Sequence, residues 1–319
     1  MARPLKLFYA SDIHGSEKCF LKFLNAGRFY GARVLILGGD ITGKLVVPLI
    51  ATGQGGYRAR FLGAVQETGT EAETLALEQA VRMNGFYPVR LTPEEHAALE
   101  QDPAAREALF RRVITASLRH WLELAEARLK GTGIRCFINA GNDDEWYVDD
   151  VLQESPVIEN GDGRVVDLDD HHQMLTVGYS NRTPFQSPRE LDEPELEAHI
   201  RRLARDLHNP RRAVFTVHVP PARTGLDDAP ALDAGGTRVV TRGGHTVMTP
   251  VGSEAVRTTI HDLEPLLGLH GHVHESRGAK RLGGSLCLNP GSEYSEGVLK
   301  GALVTLGPDR VLGYQLVSA

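Results

Sequence analysis

Leu5-Lys6-Leu7-Phe8-Tyr9-Ala10-Ser11-Asp12-Ile13-His14-Gly15 sets an apolar run directly before an aspartate and a histidine two residues apart. The run reads as a β-strand, and on the extended segment that leaves it residues two apart point the same way. The same design recurs down the chain. Val34-Leu35-Ile36-Leu37 runs into Gly38-Gly39-Asp40, and Cys136-Phe137-Ile138-Asn139 runs into Gly141-Asn142-Asp143-Asp144. Val214-Phe215-Thr216-Val217 ends at His218, and Leu266-Leu267-Gly268-Leu269 reaches His270-Gly271-His272-Val273-His274. In an open α/β sheet, ligands bind beyond the carboxyl ends of the strands. Five strands that each deliver Asp, Asn or His at that end predict one site.

A lone histidine after a strand, or a lone Gly-Asp, is ordinary turn chemistry. The conjunction is not, because five independent turns seldom all present metal-type ligands. The other histidines lack this placement. His171 and His172 lie by the acidic turn Asp167–Asp170, and His96, His120, His199 and His208 sit in helical stretches. These read as structural or solvated.

Outward from these motifs, strands also read at Gln173–Val177 and Ser285–Leu288. A closing pair, Gly301–Leu306 and Val311–Val317, is joined at Gly307-Pro308-Asp309. Early strands alternate with helix-like stretches such as Glu17–Gly27, which favours βαβ units and a largely parallel sheet. Later strands lie closer together with Gly-rich turns, which favours antiparallel additions. The chain reads as one domain over residues 1–319 with a helical insertion at about 51–133, where Ala, Leu, Glu and Arg dominate. Thr70-Glu71-Ala72-Glu73 is a capping-box pattern, and Thr92-Pro93-Glu94-Glu95 and Asp102-Pro103 start two further helices. The last keeps Phe110, Val113, Ile114, Trp121, Leu122 and Leu129 at helical spacing up to Lys130-Gly131.

The 319 residues carry 35 basic and 41 acidic side chains, a net charge of −6. That balance argues against a grip on long nucleic acid through its phosphates. Hydrophobic residues make up 41% and supply ample core. Cys19, Cys136 and Cys287 lie in or beside apolar segments without a CxxC pair, as buried thiols of a reducing compartment do. No apolar run reaches the ~18–20 residues of a membrane span. The first strand begins at Leu5 with no leader pattern before it, so a cytoplasmic location is expected.

Histidine nitrogen with carboxylate and amide oxygen, and no thiolate, suits two divalent ions of Mn, Fe, Zn or Co rather than a structural zinc cage. The candidate metal ligands are Asp12, His14, Asp40, Asn142, His218, His272 and His274, too many for one ion, with Asp40 placed to bridge. Two such ions leave the site positive toward a small phosphate ester and turn a bridging water into hydroxide near neutral pH.

The order Asp-x-His, Gly-Asp, Gly-Asn, His, Gly-His-x-His resembles the signature of the calcineurin-like metallophosphoesterases, spanning about Leu5 to Val317. The resemblance implies an α/β four-layer α/β/β/α metallophosphoesterase sandwich around a dinuclear centre. It implies one metal at Asp12, His14, Asp40 and His274, and the other at Asp40, Asn142, His218 and His272. The tail Gly271-His272-Val273-His274-Glu275 and Asn289-Pro290-Gly291-Ser292 resembles the bacterial and archaeal members. Two departures stand out. Gly43 replaces the second aspartate often found three residues after Gly-Asp, and Asp143 replaces the histidine that usually follows Gly-Asn.

The resemblance therefore implies a metal-dependent phosphoesterase with Asp40, Asn142 and Asp143 as catalytic candidates. Diesters are expected before monoesters, because their cleavage asks for less charge neutralisation. The alternatives are a metal-binding non-catalytic scaffold of the same fold, or a nuclease. Candidate substrate-binding arginines are Arg58, Arg182 and Arg223, with Arg257 also at the rim. The Gly-rich stretch Gly53–Arg58 is expected as a mobile lid near the metal mouth. The long segment from Thr224 to Thr249 is expected to cover the site or to serve a homo-oligomer contact.

Overall fold

Strand β1 (Leu5–Ala10) divides its side chains between two cores. Leu5, Leu7 and Tyr9 enter one, and Phe8 and Ala10 enter another on the opposite face. Period-2 alternation with both faces buried is what a strand inside a layered sandwich requires. The computed structural model, which describes residues 4–53, 55–233 and 235–319, repeats this division strand by strand.

Chain order from the first strand is α1 (Glu17–Tyr30), β2 (Val34–Gly38), β3 (Val46–Ala51), β4 (Tyr57–Phe61), β5 (Ala64–Glu67), α2 (Glu71–Met83) and β6 (Tyr87–Leu91). Then come α3 (Pro93–Gln101), α4 (Pro103–Leu129), β7 (Arg135–Asn139), α5 (Tyr147–Leu152), β8 (Ile158–Glu159), β9 (Val165–Asp167) and β10 (Gln173–Val177). The chain continues through α6 (Glu193–Ala204), β11 (Val214–Val217), α7 (Glu254–Leu263), β12 (Leu267–Leu269), β13 (Gly278–Leu282), β14 (Ser285–Asn289), β15 (Lys300–Gly307) and β16 (Arg310–Ser318). Very short strand pairs lie between these.

Two six-stranded sheets result, in the orders β16-β15-β1-β2-β7-β8 and β13-β14-β12-β11-β10-β9. In each, four neighbouring strands pair in parallel; in the first sheet β15 pairs antiparallel with both β1 and β16, and in the second β13 and β9 pair antiparallel at the edges. Leu7, Ile36 and Phe137 of the first sheet meet Val214, Leu267 and Leu288 of the second. Leu35 and Cys136 face α1 and α4, and Phe215 and Cys287 face α6 and α7. Three apolar cores between four layers make an α/β/β/α sandwich. The three cysteines are buried and unpaired. Among the described residues no helix is long and apolar enough to cross a membrane.

The inserted segment corrects the expectation of helices alone. It opens at β3 and holds a four-stranded sheet, β5-β4-β3-β6, with α2 and α3 beside it and its own core of Val47, Leu49, Ala59, Phe61 and Val81. Its helix starts are as read. Thr70 with Glu73, and Thr92 with Glu95, form capping boxes, and Asp102 caps α4. α4 is not an appendage, because Ile114, Leu118, Trp121 and Ala125 pack in the core of the first sheet. There Trp121 stacks on Phe20 of α1 with ring centroids 4.3 Å apart. The Ala, Leu, Glu and Arg composition of three helices masked the short strands before them and the one between α2 and α3.

Gly53 and Arg58 flank the far end of β3, and Gln54 between them lies outside the described residues. Six strand residues carry the chain about 20 Å from β3's start. The insert meets the site loops at that start instead. Tyr87 Oη accepts from the Gly43 amide at 2.7 Å, and Ser16 Oγ donates to the Met83 carbonyl at 3.1 Å.

Candidate metal centre

The seven candidate ligands converge. Each leaves the carboxyl end of a strand in a tight turn, and Asp12, His14, Asp40 and His272 all have left-handed backbones, with φ of 55°, 39°, 49° and 65°. Side chains with a Cβ rarely adopt this region, and four such residues in one place mark a functional site held by its surroundings. The loops are stitched together by amide bonds, Asp12 N to Gly39 O and His14 N to Asp40 O at 3.0 Å each, and Gly271 N to His218 O at 2.8 Å. Ser292 Oγ donates to the Asp12 carbonyl at 2.6 Å, and the His272 amide donates to both Asp12 carboxylate oxygens at 3.0 Å. Close approach explains the flanking glycines. A Cβ on Gly141 would overlap Asp40 Oδ1, and one on Gly271 would overlap Ser11 Oγ and Asp12 Oδ2.

The ligand atoms form two triads whose members lie within 4.8 Å of one another, Asp12 with His14 and His274, and Asp40 with His218 and His272. A third group, His14, Asp40 and Asp143, links them. Asp40 Oδ2 is 3.8 Å from His14 Nε2, and Asp40 Oδ1 is 3.4 Å from His218 Nε2, so this carboxylate faces both triads. His274 Nε2 lies 3.4 Å from Asp12 Oδ1 and 3.1 Å from His14 Nε2. Asn142 Oδ1 sits 2.7 Å from His272 Nδ1. His218 Nδ1 bonds the Gly38 carbonyl at 2.8 Å, which aims Nε2 into the cluster, where that atom is fully buried and has no hydrogen-bond partner. A buried imidazole nitrogen without a partner among carboxylates fits a divalent cation.

Charge is finely divided here. Burial opposes ionisation of Asp12, yet the hydrogen bond from His274 and the charges of His218 and His274 hold it down to about 2. Burial likewise works against Asp40, which neighbouring His218, His14 and His272 hold well below the usual carboxylate range. Burial works against a charged His218, but Asp40 and Asp12 push it up to about 10. Burial holds His14 and His272 down to about 4, leaving them neutral near pH 7 as ligand imidazoles must be.

Asp143 touches the cluster but is not an isolated charge. One oxygen pairs with Lys44 Nζ, and the other accepts from Ser187 Oγ at 2.5 Å and Asn142 Nδ2 at 3.2 Å. Asp144 is fully buried and accepts from the amides of Ile41, Thr42 and Gly141 and from the Thr42 hydroxyl, which joins the Asp40 and Asn142 loops. Burial and the nearby Asp40 raise it to about 6. His270, the remaining histidine of its motif, is structural, with Nδ1 bonded to the Val217 carbonyl at 2.9 Å.

The arginines named from sequence do not reach the cluster. Arg58 pairs with Glu67, Arg182 with Asp192, and Arg223 with Glu254, while Arg257 donates to the Ala222 carbonyl. The arginine that supports the site is Arg189, 1% exposed. Its Nε donates to the Asp144 carbonyl at 2.8 Å, its amide to the Asn142 carbonyl at 3.1 Å, and its guanidinium pairs with Asp149 at 2.8 Å. Nothing in Ser187-Pro188-Arg189-Glu190 distinguishes it from a surface residue. Lys44 and Ser187 are equally silent in the sequence.

No protein-family model matches the chain. The uncharacterized protein MJ1162 of Methanocaldococcus jannaschii is 30% identical over 120 residues, 37% of this chain and 47% of that protein. The match thus spans about half the length of that relative. Among solved structures, one crystal structure is similar over 98% of this chain and 99% of its own at a TM-score of 0.58 and 16% identity. TT1561 of Thermus thermophilus is similar over 96% and 100% at a TM-score of 0.52 and 13% identity. These likenesses establish a shared fold. An archaeal phosphodiesterase aligns over 99% and 100% at a TM-score of 0.39 and 10% identity.

Proposed function

We propose that this chain, with its metallophosphoesterase sandwich, is a calcineurin-like, dinuclear metal-dependent phosphoesterase acting on small phosphate esters, diesters before monoesters. The observation that carries the reading is the pair of ligand triads that meet at Asp40. Asp12, His14, Asp40 and His274 would hold one divalent ion, and Asp40, Asn142, His218 and His272 the other, with manganese, iron, zinc or cobalt suited to the donors. Bound there, the ions supply acidification of water and neutralisation of phosphoryl charge.

The chain's own groups hold and aim the site. The Gly38 carbonyl fixes which nitrogen His218 presents, and the Asp12 carboxylate anchors the His272 backbone. Asn142, bonded to His272, lies beside Asp143. No histidine follows Asn142 to protonate a leaving oxygen, so esters with acidic leaving groups are expected to react best. Three buried, unpaired thiols suit a reducing, cytoplasmic setting.

The test is turnover of bis-p-nitrophenyl phosphate and p-nitrophenyl phosphate by manganese-loaded protein of measured metal content. Diester hydrolysis lost on chelation and restored by manganese is expected. Two bound ions with no turnover of any ester would favour the scaffold reading instead.

A further inference from the structure

We infer that Lys44 binds a non-bridging oxygen of the substrate's phosphate and supplies positive charge at the edge of the cluster from the loop that follows Asp40. The inference rests on the phosphoesterase reading for its substrate, but not for the anion site itself.

Lys44 Nζ pairs with Asp143, and an Asp143 oxygen lies within 4.8 Å of ligand atoms of both His14 and Asp40. The ammonium is therefore one hydrogen bond from the edge of the cluster. Among the described residues it is the one side-chain ammonium or guanidinium bonded to any of these groups. Its side chain is 54% exposed, so substrate can reach it, whereas Asp143 is 23% exposed. An ammonium has three donors, and Asp143 occupies one. Asp143 in turn spends its other oxygen on Ser187 and Asn142, so its charge is engaged within the protein rather than facing the phosphate.

The root of the lysine is fixed. The Gly43 amide is held by Tyr87 Oη, and Gly43 packs so closely on the Gly85 carbonyl that a Cβ there would overlap it. Both contacts come from the inserted segment, which thereby positions the cation.

The experiment measures inorganic phosphate binding by calorimetry on manganese-loaded protein, with KM and kcat for bis-p-nitrophenyl phosphate alongside. Wild type is compared with Lys44→Gln and Lys44→Arg at verified metal content and melting temperature. Losing one charge-assisted hydrogen bond should weaken phosphate roughly tenfold or more in Lys44→Gln and raise KM similarly, with Lys44→Arg restoring most of the loss. Phosphate affinity and KM unchanged in Lys44→Gln, with metal retained, would overturn the inference. Absence of phosphate binding in the wild type would also overturn it. Lys44-dependent phosphate binding without hydrolysis of any ester would support the inference while sinking the phosphoesterase reading.

Discussion

Replacing Arg189 by methionine probes what holds the Asn142 loop. The guanidinium is 1% exposed and ties the Asp144 and Glu145 carbonyls to Asp149, with Asp162 at 3.8 Å. Methionine fills similar volume but leaves two carbonyls and the Asp149 and Asp162 carboxylates without their cation. Breaking a buried pair by removing one partner costs about 3–5 kcal/mol. Total stabilities run at roughly 5–15 kcal/mol, so this is a large share. Arg182, exposed and paired with exposed Asp192, is the control, because such surface pairs contribute about 0–1 kcal/mol. Urea unfolding of Arg189→Met should show a much lower midpoint, and manganese affinity should fall because Asn142 loses its frame. Arg182→Ala should match the wild type. A loss below about 1 kcal/mol in Arg189→Met, with metal affinity intact, would refute the reasoning.

Asp40→Asn removes the charge shared by both triads, so metal analysis should find one ion or none per chain, and hydrolysis should be lost. Gly271→Ala drives a methyl into Ser11 and Asp12, and overpacking of this kind costs about 1–3 kcal/mol, which denaturant unfolding would detect. Burial holds His270 down to about 4, below its ordinary 6.5. The unfolded chain therefore takes up the extra proton first, so this contribution to stability is present above pH 6.5 and is lost as pH falls toward 4. The shift corresponds to roughly 3 kcal/mol, and unfolding curves of wild type and His270→Asn across pH 4–7 should diverge accordingly.

The strands of the sandwich were legible because each is short, apolar and closed by a polar turn. Leu5–Ala10 and Gln173–Val177 stand as read, and the run Cys136–Asn139 lies within the strand Arg135–Asn139. The clustering of the candidate residues was legible because a strand end fixes where Asp12, Asp40, Asn142, His218 and His272 must gather. β3 to β6 were not, since all four are short and, although β3–β4 and β4–β5 are local hairpins, β6 joins them only by pairing with β3 across α2. The supporting charges were hidden for a related reason. Nothing local separates buried Arg189 from exposed Arg182, and Lys44 meets Asp143 only because residues 99 apart fold together.

Anomalous diffraction from manganese-loaded crystals addresses the central claim most directly. Two peaks per chain are predicted, one among Asp12, His14, Asp40 and His274 and the other among Asp40, Asn142, His218 and His272, with Asp40 touching both. A single peak, or peaks that leave His218 Nε2 without a metal partner, would contradict the account.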